Sequence, residues 1–146
     1  MYKLGQRSLD NLKGVHPDLV KVIKAAITDS PVDFTITDGI RTTAEQKAIY
    51  AQGRSKPGKI VTEADGVKGL SNHQDEADGK KDGLGSAVDI YPFFEGKVQV
   101  NHKDTVKKLK EIAAHIKATA KELGIAIEWG GDWKFIDMPH FQLKKK

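Results

Sequence analysis

The sequence has no cysteine. That absence excludes disulfide staples, thiolate nucleophiles, iron–sulfur clusters and the Cys-rich sites that hold most structural zinc. Any metal site must therefore be built from histidine and carboxylate, the donor set of catalytic zinc. Long apolar runs are missing too, since none approaches the roughly 18 residues of a membrane-spanning helix. The opening Met1-Tyr2-Lys3-Leu4-Gly5-Gln6-Arg7 has no apolar core of the kind a secretory signal carries. The expectation is a chain made in the cytoplasm without an export signal of its own. Charge of one sign is also in short supply: 24 Lys+Arg against 20 Asp+Glu leave only +4. Such a field favours anionic surfaces such as nucleic acid, phospholipid or acidic wall polymers, and does not choose among them. Part of the excess is the terminal Lys144-Lys145-Lys146, read as a solvated tail.

What is present reads as one domain spanning 1–146, long enough to bury a real core. Pro17 suits the first position of a helix after His16, and Leu19, Val20, Ile23, Ala26 and Ile27 recur at helical spacing until Asp29-Ser30-Pro31. Residues 33–37 alternate as a half-buried strand does. Thr42 or Thr43 caps a second helix running to Gly53. Residues 53–85 hold 7 of the 14 glycines without periodicity and read as a long functional loop. Strands are expected over 86–91 and 97–100 around a Glu95-Gly96 turn. A long amphipathic helix then starts at Asn101 or Asp104, with Val106, Leu109, Ile112, Ala113, Ile116, Ala120 and Leu123 as its stripe, and stops at Gly124. Two short strands, 125–129 and 140–143, flank the Gly130-Gly131 bend. This order predicts an α+β fold: a small domain with a central antiparallel sheet flanked by helices.

Two of these strands carry polar residues where packing alone would not place them. Val88 and Ile90 share one face and Asp89 the other; Phe141 and Leu143 share one face, and His140 and Gln142 the other. If the strands are neighbours, Asp89 and His140 converge, and the long loop can bring His73 as a third donor. Two histidines and a carboxylate are catalytic zinc ligands that leave a position for water. Zinc lowers that water's pKa to about 7 and polarises a carbonyl, which suits amide hydrolysis. A further carboxylate must move the proton. Asp137 stands three residues before His140, and Pro139 between them favours a turn over a helix. Read singly, each of these residues also fits a hydrogen-bonding or surface role.

The motifs Gly39-Ile40-Arg41, Gln46, Gly53-Arg54, Pro57 to Thr62, Ser71-Asn72-His73, Gly85-Ser86-Ala87-Val88-Asp89, Trp129-Gly130-Gly131-Asp132-Trp133 and Asp137-Met138-Pro139-His140-Phe141 occur in one order along the chain. Together they resemble the zinc metallopeptidases of the LAS group, in particular the L-alanyl-D-glutamate endopeptidases of the phage endolysin type. The resemblance implies a fold like that of hedgehog and the D-Ala-D-Ala peptidases. It makes His73, Asp89 and His140 the ligands of one zinc ion, Asp137 the general base and acid, and Arg41 the cation facing the oxyanion. Gln46 and Ser71 match positions that line the substrate site. It further implies a monomer that cleaves the peptidoglycan stem peptide in the wall or periplasm and leaves the host cytoplasm with a holin-type partner. No wall-binding domain is visible in the sequence.

One departure stands out. The family pattern Ser-x-His-x-x-Gly-x-Ala-x-Asp puts the aspartate seven residues after the histidine, whereas His73 and Asp89 are sixteen apart. The nine extra residues fall within 74–84 with both flanks intact, and loop closure grows only logarithmically with length. The insert Asp75 to Gly83 has four acids and two glycines. Such a run can bind calcium (Ca2+), but without the EF-hand register or closing glutamate a solvated loop is the better reading. His16, His102 and His115 sit in no matching motif and read as surface or helix histidines. Three alternatives remain open: a D-alanyl-D-alanine carboxypeptidase or dipeptidase on the same fold, a non-catalytic zinc-stabilised binding module, and a basic nucleic-acid binder. The last lacks any recognised motif.

Overall fold

The computed structural model describes residues 2–40, 48–52, 54–55, 85–134 and 136–144. The elements are α1 (Gln6–Asn11), α2 (Pro17–Asp29), β1 (Phe34–Asp38), β2 (Ala87–Phe94), β3 (Lys97–Val98), α3 (Thr105–Leu123), β4 (Ile127–Trp129) and β5 (His140–Leu143). The sheet runs β1-β2-β5-β4 with every pairing antiparallel, and β3 forms a hairpin with β2. The expected α+β layout with an antiparallel sheet is what the chain adopts.

Local chemistry sets most boundaries. Pro17 opens α2, and the His16 ring accepts a hydrogen bond from the Asp18 amide at 3.1 Å. Glu95 and Gly96 both take positive φ, 54° and 79°, as a two-residue turn matched to strand twist requires. Gly124 ends α3 in the left-handed region at φ 71°. The strand expected to stop at Tyr91 continues to Phe94. Pro92 is tolerated because it falls between the β5 and β3 pairings of β2.

Helices α2 and α3 cover one face of the sheet. Leu19, Val22, Ile23 and Ala26 of α2 and Ile112, Ala113 and Ile116 of α3 pack on Phe34, Ile36, Val88, Ile90 and Phe141, all essentially without solvent exposure. The His115 ring bonds the Ala26 carbonyl at 2.9 Å, tying α3 to α2. Val106, expected in the stripe, is instead 51% exposed. Thr105 takes the buried place because its hydroxyl donates to the Gln99 carbonyl at 3.0 Å, and one helical residue on turns Val106 outward.

Helix α1 was not foreseen: it spans 6 residues, too few for a periodicity, and no side chain caps its start. It shields the outer edge of β1. Ser8 Oγ accepts from the Ile36 amide at 3.0 Å, and Asn11 donates to the Ile36 carbonyl at 2.8 Å, so both backbone groups of Ile36, midway along this edge strand, are satisfied. Residues 48–51, the end of the expected second helix, are helical. Its start and most of the expected long loop lie outside the described residues. Gly85 exchanges backbone hydrogen bonds with Gly14 and His16 at 2.8 and 2.9 Å.

Candidate metal centre

The face of the sheet turned away from the helices carries the chemistry. Because side chains alternate along a strand, burying Val88 and Ile90 sends Asp89 and Tyr91 to the other side, and burying Phe141 does the same for His140 and Gln142. Strands β2 and β5 are neighbours, and Asp89 is the direct cross-strand partner of His140. The convergence expected from alternation is therefore realised.

Asp137 reaches the same point by a different route. The turn before β5 is closed by the His140 amide donating to the Asp137 carbonyl at 3.1 Å. The Asp137 amide in turn donates to the Gly130 carbonyl at 2.9 Å, and the Trp129 indole donates to the Met138 carbonyl at 2.7 Å. A side chain at position 130 would meet the Asp137 carbonyl oxygen 2.2 Å away, so this approach requires glycine.

Nδ1 of His140 lies 3.6 Å from an Asp89 oxygen and 3.8 Å from an Asp137 oxygen. One donor atom from each of the three residues falls within 4.8 Å of the others. His140 is buried, and Asp89 and Asp137 are partly accessible, although the Asp89 oxygen nearest the imidazole is itself buried. The Trp133 ring packs against the imidazole at 4.8 Å between centroids. On the other side of the ring, Nε2 lies 2.8 Å from Gln142 Oε1, and the Gln142 amide donates to Glu128 at 3.0 Å.

The electrostatics follow from this packing. Burial by itself lowers the basicity of His140. The contact and charge of Asp89, the Gln142 hydrogen bond and the charge of Asp137 outweigh it, so the imidazole titrates above its ordinary 6.5. Burial and the same two carboxylates push the Tyr91 phenol up. Tyr91 thus stands in the field of the site although no motif marked it; its spacing of two from Asp89 was the available signal. Glu128 was missed for a different reason, since only the pairing of β4 with β5 sets it opposite Gln142.

Of the residues expected at the site, Asp89, Asp137 and His140 come together. Arg41, Gln46, Ser71 and His73 lie outside the described residues, as does the 75–83 segment considered for calcium. His16, His102 and His115 serve in capping and packing: His102 accepts from the Asp104 amide at 3.0 Å and packs edge-on against Phe94.

The donor chemistry fits a zinc ion: an imidazole nitrogen and carboxylate oxygens, grouped on two paired strands and the turn before β5. A helix-backed antiparallel sheet with this cluster on the face away from the helices has the layout of a small α+β hydrolase. Comparison with known proteins narrows that class. The family model described as phage L-alanyl-D-glutamate peptidase matches residues 1–144. The L-alanyl-D-glutamate peptidase of Escherichia phage T5 is 30% identical over 144 residues, covering 99% of this chain and 90% of that protein. The peptidoglycan L-alanyl-D-glutamate endopeptidase CwlK of Bacillus subtilis (strain 168) is 39% identical over 125 residues, 83% of this chain and 66% of the relative. Among solved structures, the L-Ala D-Glu endopeptidase ChiX of Serratia marcescens superimposes with a TM-score of 0.70 at 35% identity, over 95% of this chain and 87% of the other. The chain belongs to the phage L-alanyl-D-glutamate peptidase family.

Proposed function

We propose that the chain is a zinc-dependent endopeptidase that hydrolyses the L-alanyl-D-glutamate bond of the peptidoglycan stem peptide. The observation that carries this reading is the convergence of Asp89, Asp137 and His140 donors within 4.8 Å on the face of the sheet away from the helices, in a chain of this family. His73, Asp89 and His140 would hold the ion, the first on the strength of the sequence motif. When bound, zinc supplies Lewis-acid polarisation of the scissile carbonyl and makes water acidic enough to ionise near neutrality.

The remaining steps fall to the chain's own side chains. Asp137 takes the proton from the attacking water and returns it to the leaving amine of D-glutamate. Its turn between Gly130 and His140 sets its carboxylate beside the imidazole while leaving it partly accessible to substrate. Arg41 offers a fixed positive charge to the oxyanion, and Gln46 and Ser71 line the peptide. A second assignment has an observation in its favour: Asp137 lies close enough to Asp89 and His140 to be a ligand itself. Zinc retention by Asp137→Asn separates the two, since a base can be removed without losing the ion and a ligand cannot.

The same resemblance supports one domain over 1–146 acting as a monomer on wall exposed after lysis begins, with a holin-type partner opening the inner membrane. No helix of the described residues is long and apolar enough to cross a membrane by itself. The bond is tested by mass spectrometry of muropeptides digested with the purified chain. New C-terminal L-alanine on the glycan and new N-terminal D-glutamate support the reading. Release of terminal D-alanine points to the carboxypeptidase alternative.

A further inference from the structure

The side of His140 facing away from the carboxylates carries an arrangement that the hydrolytic reading does not use. Gln142 is buried, 5% exposed, on the same face of β5 as His140. Its direct cross-strand partner on β4 is Glu128. An ionised carboxylate only accepts hydrogen bonds, so the Gln142 amide nitrogen must be the atom that meets Glu128, at 3.0 Å. That fixes the orientation of the amide. Its oxygen is then the atom 2.8 Å from His140 Nε2, and a carbonyl oxygen needs a donor there. The ring must carry its proton on Nε2. In the neutral imidazole, Nδ1 is left with its lone pair turned toward Asp89 and Asp137.

We propose that Gln142, locked by Glu128, is a positioning residue that holds His140 in the Nε2–H tautomer and aims Nδ1 into the carboxylate cluster. The inference rests on the metal-centre reading for its purpose, though not for its geometry. Glu128 is only partly buried, while Gln142, standing between it and the buried His140 ring, is buried, so Gln142 carries the influence of the carboxylate inward. Removing an outer partner of a ligating histidine typically costs about 10–100-fold in metal affinity.

Two measurements test this. The first is the imidazole nitrogen spectrum of the metal-free wild-type protein, recorded above the His140 titration; it needs no variant. A single Nε2–H tautomer for His140 is expected, and an Nδ1–H tautomer overturns the proposal. The second is zinc affinity by competition with a chromophoric chelator. Gln142→Leu should bind about 10–100-fold more weakly. The exchanged pair Gln142→Glu with Glu128→Gln rebuilds the donor–acceptor order in reverse and should return to within about threefold of wild type. A Gln142→Leu protein that melts earlier yet binds zinc as tightly as wild type shows a merely structural role and overturns the proposal. If wild-type protein binds no zinc, the metal reading fails, and the tautomer spectrum still decides this inference.

Discussion

The α-carbon of Gly130 sits against the backbone of Asp137 so closely that an added methyl would lie 2.2 Å from the Asp137 carbonyl oxygen. The contact is backbone on backbone, so no side chain can swing away to relieve it. Gly130→Ala must push the Asp137 turn outward, at a cost of about 1–3 kcal/mol in stability. Misplacement of a reacting group by about 1 Å can cost ~100-fold. The expected result is a folded protein with a modestly lowered melting temperature and a much larger loss of turnover on purified wall. Equal, small losses in both would remove the link between Gly130 and Asp137.

Asp137→Asn removes a proton acceptor and keeps the shape of the turn, because the backbone hydrogen bonds of Asp137 to Gly130 and His140 remain. Turnover should fall by about 10²–10⁴, the usual contribution of a general acid–base. Zinc content, measured by elemental analysis on the same sample, should match wild type. Loss of zinc along with activity would make Asp137 a ligand.

The raised basicity of His140 gives stability a pH dependence whose sign can be worked out. A group that holds its proton more tightly when folded stabilises the fold fully below its unfolded value, near 6.5, and loses that contribution as pH rises through the folded value. Metal-free protein should therefore lose stability from about pH 6.5 upward through the His140 titration, and His140→Gln should flatten that slope. Zinc competes with the same proton, so the stabilisation added by zinc should grow with pH over that window. Thermal melts across pH, with zinc and with chelator, check both trends. Parallel curves would place the zinc elsewhere.

Phe141 is fully buried on the helix side of β5, directly across the sheet from the site face. Phe141→Ala should cost about 3–5 kcal/mol through lost burial and a cavity between β5 and the helices. Chemical denaturation measures this. The flanking His140 and Gln142 should show the damage as weakened zinc binding only when the strand itself shifts.

The site was legible where a short-range rule governed it. Period-two alternation around Val88 and Phe141 was enough to set Asp89 and His140 on one face, and Pro139 was enough to make the Asp137 segment a turn. What alternation leaves open is which strand lies beside which. The placement of Glu128 against Gln142 depends on the β4–β5 pairing, a long-range choice with no local mark. Helix α1 escaped because six residues give no period, and its stability comes from Ser8 and Asn11 bonding the edge of β1, a contact 25 or more residues away in sequence. Val106 fitted the helical period, but the hydroxyl bond of Thr105 set the rotation of the first turn.

Hydrolysis is expected to depend on a metal held beside Asp89 and His140. Purified protein should be stripped with chelator, assayed on peptidoglycan, reloaded with zinc and assayed again, with zinc counted in each sample and His140→Ala run alongside. The expected result is no wall lysis without metal, recovery at about one zinc per chain, and neither zinc retention nor recovery in the variant. Full activity in the metal-free preparation would show that hydrolysis needs no metal at this cluster.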